Sequence, residues 1–297
     1  MLDLEPVVEL FRTPYPAVCS ERILVLQAVG IRFEIVQAAG DWVVFVAERD
    51  AQRAAQELRH YTAENRRWTP QPRPVKTHPG ASVGSVIYMF VILSIGWAAS
   101  RGFAGLHWFR AGRFNAGQFL DGEWWRAITA LTLHADLGHV ASNMAFGMAF
   151  GYFVGQLLGP GLAWSSILLA GTLGNTLNAL WQSPTHTAVG ASTAVFAALG
   201  LLAALSWTRR RHSEHRGGVR WAPLCGGVML LAYTGFSGVR TDVGAHVTGF
   251  VAGLLFGGVY GVLGAHLRLP WVWQWLLGAA AVTTIAVAWL YALQAHG

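Results

Sequence analysis

Charge is what this sequence has least of. Its 297 residues include only 21 basic and 15 acidic ones, a 12% share against 54% hydrophobic, where a soluble domain carries about 25% charged residues. An ordinary soluble globular protein is excluded on that ground. Cysteine is nearly missing too. Cys19 and Cys225 fall in what read as different domains, so neither a disulfide framework nor a CxxC metal site exists. The chain opens with Asp3, Glu5 and Glu9 rather than a basic stretch followed by an apolar one. No cleavable signal peptide is therefore expected, and the N-terminus should stay where it is made. There is no HExxH pair for a zinc protease and no aspartate pair for an intramembrane aspartyl protease. No metal or other cofactor is expected.

The charges that do occur are unevenly spread, with 20 in residues 1 to 76 and 16 in the remaining 221. Two regions with different solvents follow. Ten acids balance ten bases in the first, so the net charge of +6 belongs to the apolar part. It reads as membrane orientation and not as nucleic-acid binding.

The first region reads as a small α+β domain, residues 1–67. Residues 6–12, 32–37 and 42–47 are short β-branched or aromatic runs, with Gly40-Asp41 as a hairpin signal between the last two. Residues 16–29 and 50–65 read as helices, which completes a β-α-β-β-α unit. Its expected use is regulatory or protein-binding, with a cytosolic partner; a folded appendage without separable activity stands as the alternative. Pro70, Pro72, Pro74 and Pro79 mark a linker, residues 68–81, that cannot be helical throughout.

Beyond the linker, Thr77–Ser100, Leu137–Thr208, Trp221–Val239, Val243–Leu267 and Leu269–Gly297 are uncharged, and a spanning helix needs about 20 mostly apolar residues. Gly159-Pro160-Gly161 and Gln182-Ser183-Pro184-Thr185 break the longest run. Seven spans are expected, at 82–100, 139–158, 162–181, 190–207, 222–238, 244–264 and 271–293. Arg66, Arg67, Arg73 and Lys76 precede the first span, and Arg209, Arg210, Arg211, Arg216 and Arg220 follow the fourth. Both clusters then face the cytoplasm, which puts the N-terminal domain inside and the loop 101–138 outside. Trp108, Trp124 and Trp125 of that loop suit a segment lying in the membrane interface.

Polar residues inside a bilayer are costly and mark function by default. His139 and Asn143 share a face at the start of the second span, Gly190-Ala191-Ser192-Thr193 open the fourth, and Gly244-Ala245-His246 open the sixth. All three starts lie at the outer end. Stripes of small residues at four-residue spacing (Asn143, Gly147, Gly151, Gly155; Gly190, Ala194, Ala198; Ala245, Gly249, Gly253, Gly257, Gly261) let these helices approach closely. A serine hydroxyl beside a neutral imidazole is a nucleophile and its base, and the free N–H groups of a helix start, with Asn143 and His139, can bind a developing oxyanion. Phe196 is placed to pack against His246. Asp242 stands as a candidate third member, and His134, His186 and His107 as extensions of the polar cluster. Taken singly, a serine at a helix start is a cap and a buried histidine bonds a neighbouring carbonyl.

Together these residues resemble the rhomboid intramembrane serine proteases over about residues 82–264. The marks are Glu123-Trp124-Trp125-Arg126, the stretch Leu133-His134-Ala135-Asp136-Leu137-Gly138-His139 leading to Asn143, the Gly190-Ala191-Ser192 turn, and Ala245-His246 with Gly249 and Gly253. The resemblance implies an all-α polytopic membrane domain, residues 82–297, with six core helices and one added. It implies Ser192 as nucleophile, His246 as general base, His139 and Asn143 as oxyanion donors, and Trp125 and Arg126 as structural residues of the outer loop. Substrates would be single-span membrane proteins that unwind near the cut, and the setting a bacterial inner membrane with membrane lipid around the protein. Thr193 stands where a glycine usually follows the nucleophile and is expected to narrow the pocket; Phe196 stands where the ring is often Tyr. A rhomboid-like protein that binds membrane helices without cutting them is the alternative, and a small-solute transporter the more distant one, without the repeats it would need.

Overall fold

The computed structural model describes residues 5–38, 40–65, 77–210, 217–235, 242–263 and 269–296, with the backbone alone for 209–210, 217–220 and 234–235. The expected linker prolines 70, 72 and 74 and most of the cationic side chains used for orientation therefore lie outside the described residues. The chain divides into two compact units, Met1–Pro74 and Val75–Gly297, each described by itself.

In the first unit β1 (Val7–Thr13), α1 (Pro16–Ala28), β2 (Phe33–Ala38), β3 (Asp41–Ala47) and α2 (Glu48–Glu64) follow one another. Pro16 starts α1, where its fixed φ suits the first turn and its missing N–H costs nothing. The β2–β3 hairpin turns at Gly40, whose φ of 89° favours glycine. β3 is central, pairing antiparallel with both neighbours in the order β1-β3-β2. The strands alternate, so Val44 and Val46 join Cys19 and Leu26 of α1 and Ala54 of α2 in one core. Full burial of each of these larger side chains is worth about 1.5–3 kcal/mol.

The second unit is built of helices. α3 (Ala81–Arg101) leads into a loop with three short helices, α4 (Trp108–Gly112), α5 (Ala116–Leu120) and α6 (Arg126–Thr129), and the two-residue strand β4 (Phe114–Asn115). Then come α7 (Leu137–Leu158), α8 (Pro160–Ala179), the two-residue strand β5 (Thr187–Ala188), α9 (Ser192–Arg210), α10 (Gly217–Gly235), α11 (Val243–Leu263) and α12 (Trp271–His296). Three of them, α3, α11 and α12, are long and apolar enough to cross a membrane by length and composition alone. Over their described side chains α9 and α10 are apolar but shorter, while α8 carries polar residues for a visible reason. In α8, Asn175 donates to the carbonyl of Ala127, and Ser166 bonds the hydroxyl of Tyr260 on α11. Such side chains lower a helix's hydropathy while serving contacts inside the protein, and 12 of the 20 residues of α8 are buried.

Three devices position the ends of these helices. Arg126, only 1% exposed, donates to Glu123 at 2.6 Å and to the carbonyls of Arg110 and Arg113 at 3.2 and 2.7 Å. A buried cation persists only when paired and fully hydrogen-bonded, so this guanidinium gathers the loop around itself. β4 then pairs with β5, tying the loop to the segment before α9. α12 clamps the opposite end of α7 and α8 through Gln274, whose amide donates to the Leu158 carbonyl and accepts from the Leu162 N–H, both at 2.9 Å. One side chain thus satisfies a helix end and a helix start that would otherwise be orphaned. Near its C-terminus the same helix reaches the loop, where the Trp289 indole donates to Thr132 and His296 meets Glu123.

The glycine stripes have two uses. A Cβ on Gly249 or Gly253 would strike the carbonyl oxygen of Thr193 or Ala197, so α9 and α11 touch backbone to backbone. The α9 face in that seam is Thr193, Ala197, Gly200, Leu201 and Ala204, not the expected line of Gly190, Ala194 and Ala198. Ala194 lies instead against Gly171 of α8. The stripe on α7 receives side chains, with Gly147 under Tyr88 and Gly151 under Trp164.

Candidate active site

An open cleft of about 1220 Å³ lies where α7, α9 and α11 begin, and its lining includes His139, Asn143, Gly190, Ser192, Phe196 and His246. Each is placed by local chemistry. Asp136 caps α7 by accepting the His139 N–H at 2.9 Å. α9 starts at Ser192, with its first intrahelical bond running from Val195 to the Ala191 carbonyl at 2.9 Å. The N–H groups of Ser192, Thr193 and Ala194 therefore precede any helical acceptor. Asp242 caps α11, accepting the Ala245 N–H at 3.0 Å.

His246 is 7% exposed, and the ring of Phe196 lies 4.4 Å from its own, centroid to centroid, tilted by 37°. The ring contact expected from the spacing is present, and it fixes the imidazole plane against α9. Asp242 is otherwise engaged, with Asn178 and His186 bonding its second oxygen at 2.9 and 2.7 Å. It orients the first turn of α11 and ties it to the end of α8 and the following loop. His186 thereby lines the cleft, while His107 is an exposed residue at the start of α4.

Asn143 carries the most telling polar atom. It is 5% exposed, and its Nδ2 is buried with no hydrogen-bond partner among the described residues. A buried donor left empty costs about 1–3 kcal/mol, so folding alone gives no reason to keep it. His139 stands beside it on the cleft wall, pressed onto Gly190: a Cβ there would come within 2.7 Å of the imidazole. Gly190 also has φ 138°, so both backbone and contact exclude other residues.

Thr193 lines the cleft beside Ser192, and its methyl also packs away from it. It is 3% exposed, and its methyl points into the seam of α8 and α11, 2.8 Å from a Cβ built on Gly174 and 3.0 Å from one built on Gly249. The methyl fills space that two glycines leave. Thr193→Gly should therefore lower stability, by about 1–3 kcal/mol from the void and the added glycine, without speeding reaction at Ser192; a thermal midpoint at or above wild type would show that the methyl is not packed. Trp125 stacks on Tyr291 of α12 with ring centroids 6.1 Å apart, and it is a loop residue, as is Arg126.

The comparisons with known proteins agree with this geometry. Residues 121–263 match the rhomboid domain family model. The chain is 27% identical over 174 residues to "Rhomboid protease GluP" of Bacillus subtilis, covering 58% of this chain and 32% of that protein. It is 31% identical over 144 residues to "Rhomboid-like protease 3" of Toxoplasma gondii, covering 48% of this chain and 54% of that one. The chain thus spans a third to a half of the length of these relatives. With its apolar helices, it is an integral membrane protein.

Proposed function

Starting from a chain that belongs, through residues 121–263, to the rhomboid family, we propose that it is an intramembrane serine endopeptidase working through Ser192 and His246. The observation that carries this reading is the empty amide of Asn143 in the same cleft as a serine at a helix start and a histidine held by Phe196. Ser192 Oγ attacks the scissile carbonyl carbon while His246 takes its proton. The carbonyl oxygen becomes an anion, which accepts hydrogen bonds from Asn143 Nδ2, from His139 and from the N–H of Ser192. Collapse breaks the C–N bond, and the leaving amine takes the proton from His246. Water, deprotonated by the same imidazole, then hydrolyses the acyl-enzyme and restores the serine.

Water must enter from one face of the bilayer, and the open cleft at the helix starts is where it would do so. The substrates are single-span membrane proteins whose helix unwinds near the cut, because an intact helix keeps its carbonyls engaged. Six core helices and one added helix span the membrane, α3 and α7 to α12, with α12 as the addition. The cationic clusters set the cleft toward the outer face and residues 1–67 in the cytoplasm of a bacterial cell, where that domain meets a cytosolic partner.

A fluorophosphonate serine-hydrolase probe on the detergent-solubilised protein tests the chemistry. Wild type should be labelled, and Ser192→Ala and His246→Ala should each lose the label. A folded wild type that takes no label would turn the reading to a rhomboid that binds membrane helices without cutting them.

A further inference from the structure

Two consecutive N–H groups just before the nucleophile are held by the loop rather than by helix α9. Gly190 donates to the Ala130 carbonyl at 2.9 Å, and Ala191 donates to Nε2 of His134 at 3.3 Å. His134 belongs to neither helix. It sits between the turn Ala130–Thr132 and α7, 8% exposed. Its ring meets that of His139 edge-on, with centroids 5.1 Å apart. The imidazole is thus a rivet between the loop, the oxyanion wall and the turn that presents Ser192.

We propose that His134 is a positioning residue for the nucleophile: its neutral ring accepts the Ala191 N–H, fixes the Gly190–Ser192 turn, and leaves the Ser192 N–H as the first backbone donor facing the cleft. The inference rests on the protease reading above. A ring nitrogen that accepts a hydrogen bond must be unprotonated, and the surroundings enforce that state. Burial pushes the imidazole down to about 4, with His139 adding to the shift and Asp136 and the Thr132 backbone opposing it. The proton it keeps then belongs on Nδ1, because Nε2 faces the Ala191 N–H. With the N–H groups of Gly190 and Ala191 both occupied, neither can serve the reacting carbonyl. His134 thereby selects which atoms form the backbone part of the oxyanion site.

The test compares His134→Ala with His134→Gln, whose amide oxygen can stand near the place of Nε2. Three quantities are read on the full-length protein in detergent: fluorophosphonate labelling rate, kcat and KM on a membrane-embedded peptide, and hydrogen–deuterium exchange of the 187–195 segment. Losing the rivet should slow labelling and kcat about 100-fold, the order expected for a reacting atom misplaced by about 1 Å, with KM within about threefold. Exchange should quicken about tenfold, and glutamine should recover most of both. Gln no better than Ala would overturn the positioning role, as would unchanged exchange in His134→Ala, which needs no catalysis to be read. Label that persists in Ser192→Ala would instead overturn the protease reading, so the two failures are told apart.

Discussion

Gly253→Val should abolish labelling of Ser192 by a fluorophosphonate while leaving both proposed catalytic side chains in the sequence. Gly253 lies two turns from His246 on α11, and a Cβ there falls on the carbonyl oxygen of Ala197, five residues from Ser192 on α9. Backbone cannot give way as the end of a flexible side chain can. Valine therefore forces the two helices apart, and the nucleophile and its base ride on opposite sides of that seam. A displacement of about 1 Å between reacting groups costs about 100-fold in rate, and the two methyl groups valine adds beyond its Cβ ask for more than that. The control is on the same helix. A Cβ on Gly258 meets nothing within 4 Å, so Gly258→Ala should leave labelling unchanged and raise helix stability by up to about 1 kcal/mol. Undiminished labelling in Gly253→Val would mean that α9 and α11 do not act as one rigid pair.

That seam was legible in the sequence on one side only. The glycines of α11 recur every four residues and announce a close approach, and the structure meets them with α9. On α9 the residues that touch α11 are Thr193, Ala197, Gly200, Leu201 and Ala204, a partly small face offset from the four-residue line at 190, 194 and 198. Small residues at 190, 194 and 198 drew attention to the neighbouring face, which serves α8. Spacing shows that a helix can be approached closely but not from which side, because side-chain volume is compared along one helix while packing is settled between two. Short-range features were read correctly for a related reason. The β-α-β-β-α order of the first unit follows from local periodicity, and the helix repeat puts Phe196 on the face of Ser192, from which it meets His246 on another helix.

The clamps of the second unit were not legible. Gln274, which satisfies both α7 and α8, stands more than 110 positions from its partners, and a single glutamine in an apolar helix carries no periodicity. His134 and Asp242 were visible as polar residues near the site, yet what they hold, the Ala191 N–H and the start of α11, are backbone groups that every sequence possesses. A sequence names side chains; it does not say which of the many identical N–H groups each will meet.

Asn143 makes the opposite kind of prediction, one in which activity and stability part. Most buried asparagines lose stability when truncated, because their amides hold neighbouring backbone. Here Nδ2 has no hydrogen-bond partner among the described residues, and the link between α7 and α3 at this position runs through the backbone, where the Tyr88 hydroxyl donates to the Asn143 carbonyl at 3.0 Å. Asn143→Ala keeps that bond and removes the empty donor. Its thermal midpoint should equal or exceed that of wild type, less the small void left by the side chain. The reaction should suffer in proportion to what the amide does in the transition state: removing one oxyanion donor costs about 100- to 1000-fold in kcat, with KM little changed, because the ground-state carbonyl does not yet carry the charge that the amide awaits. Measured together, the midpoint and kcat separate the two roles. A midpoint lowered by several degrees with kcat nearly intact would make Asn143 a packing residue and leave the oxyanion to His139 and the backbone of α9; a large loss of kcat at unchanged midpoint would assign the vacant donor to the reacting carbonyl.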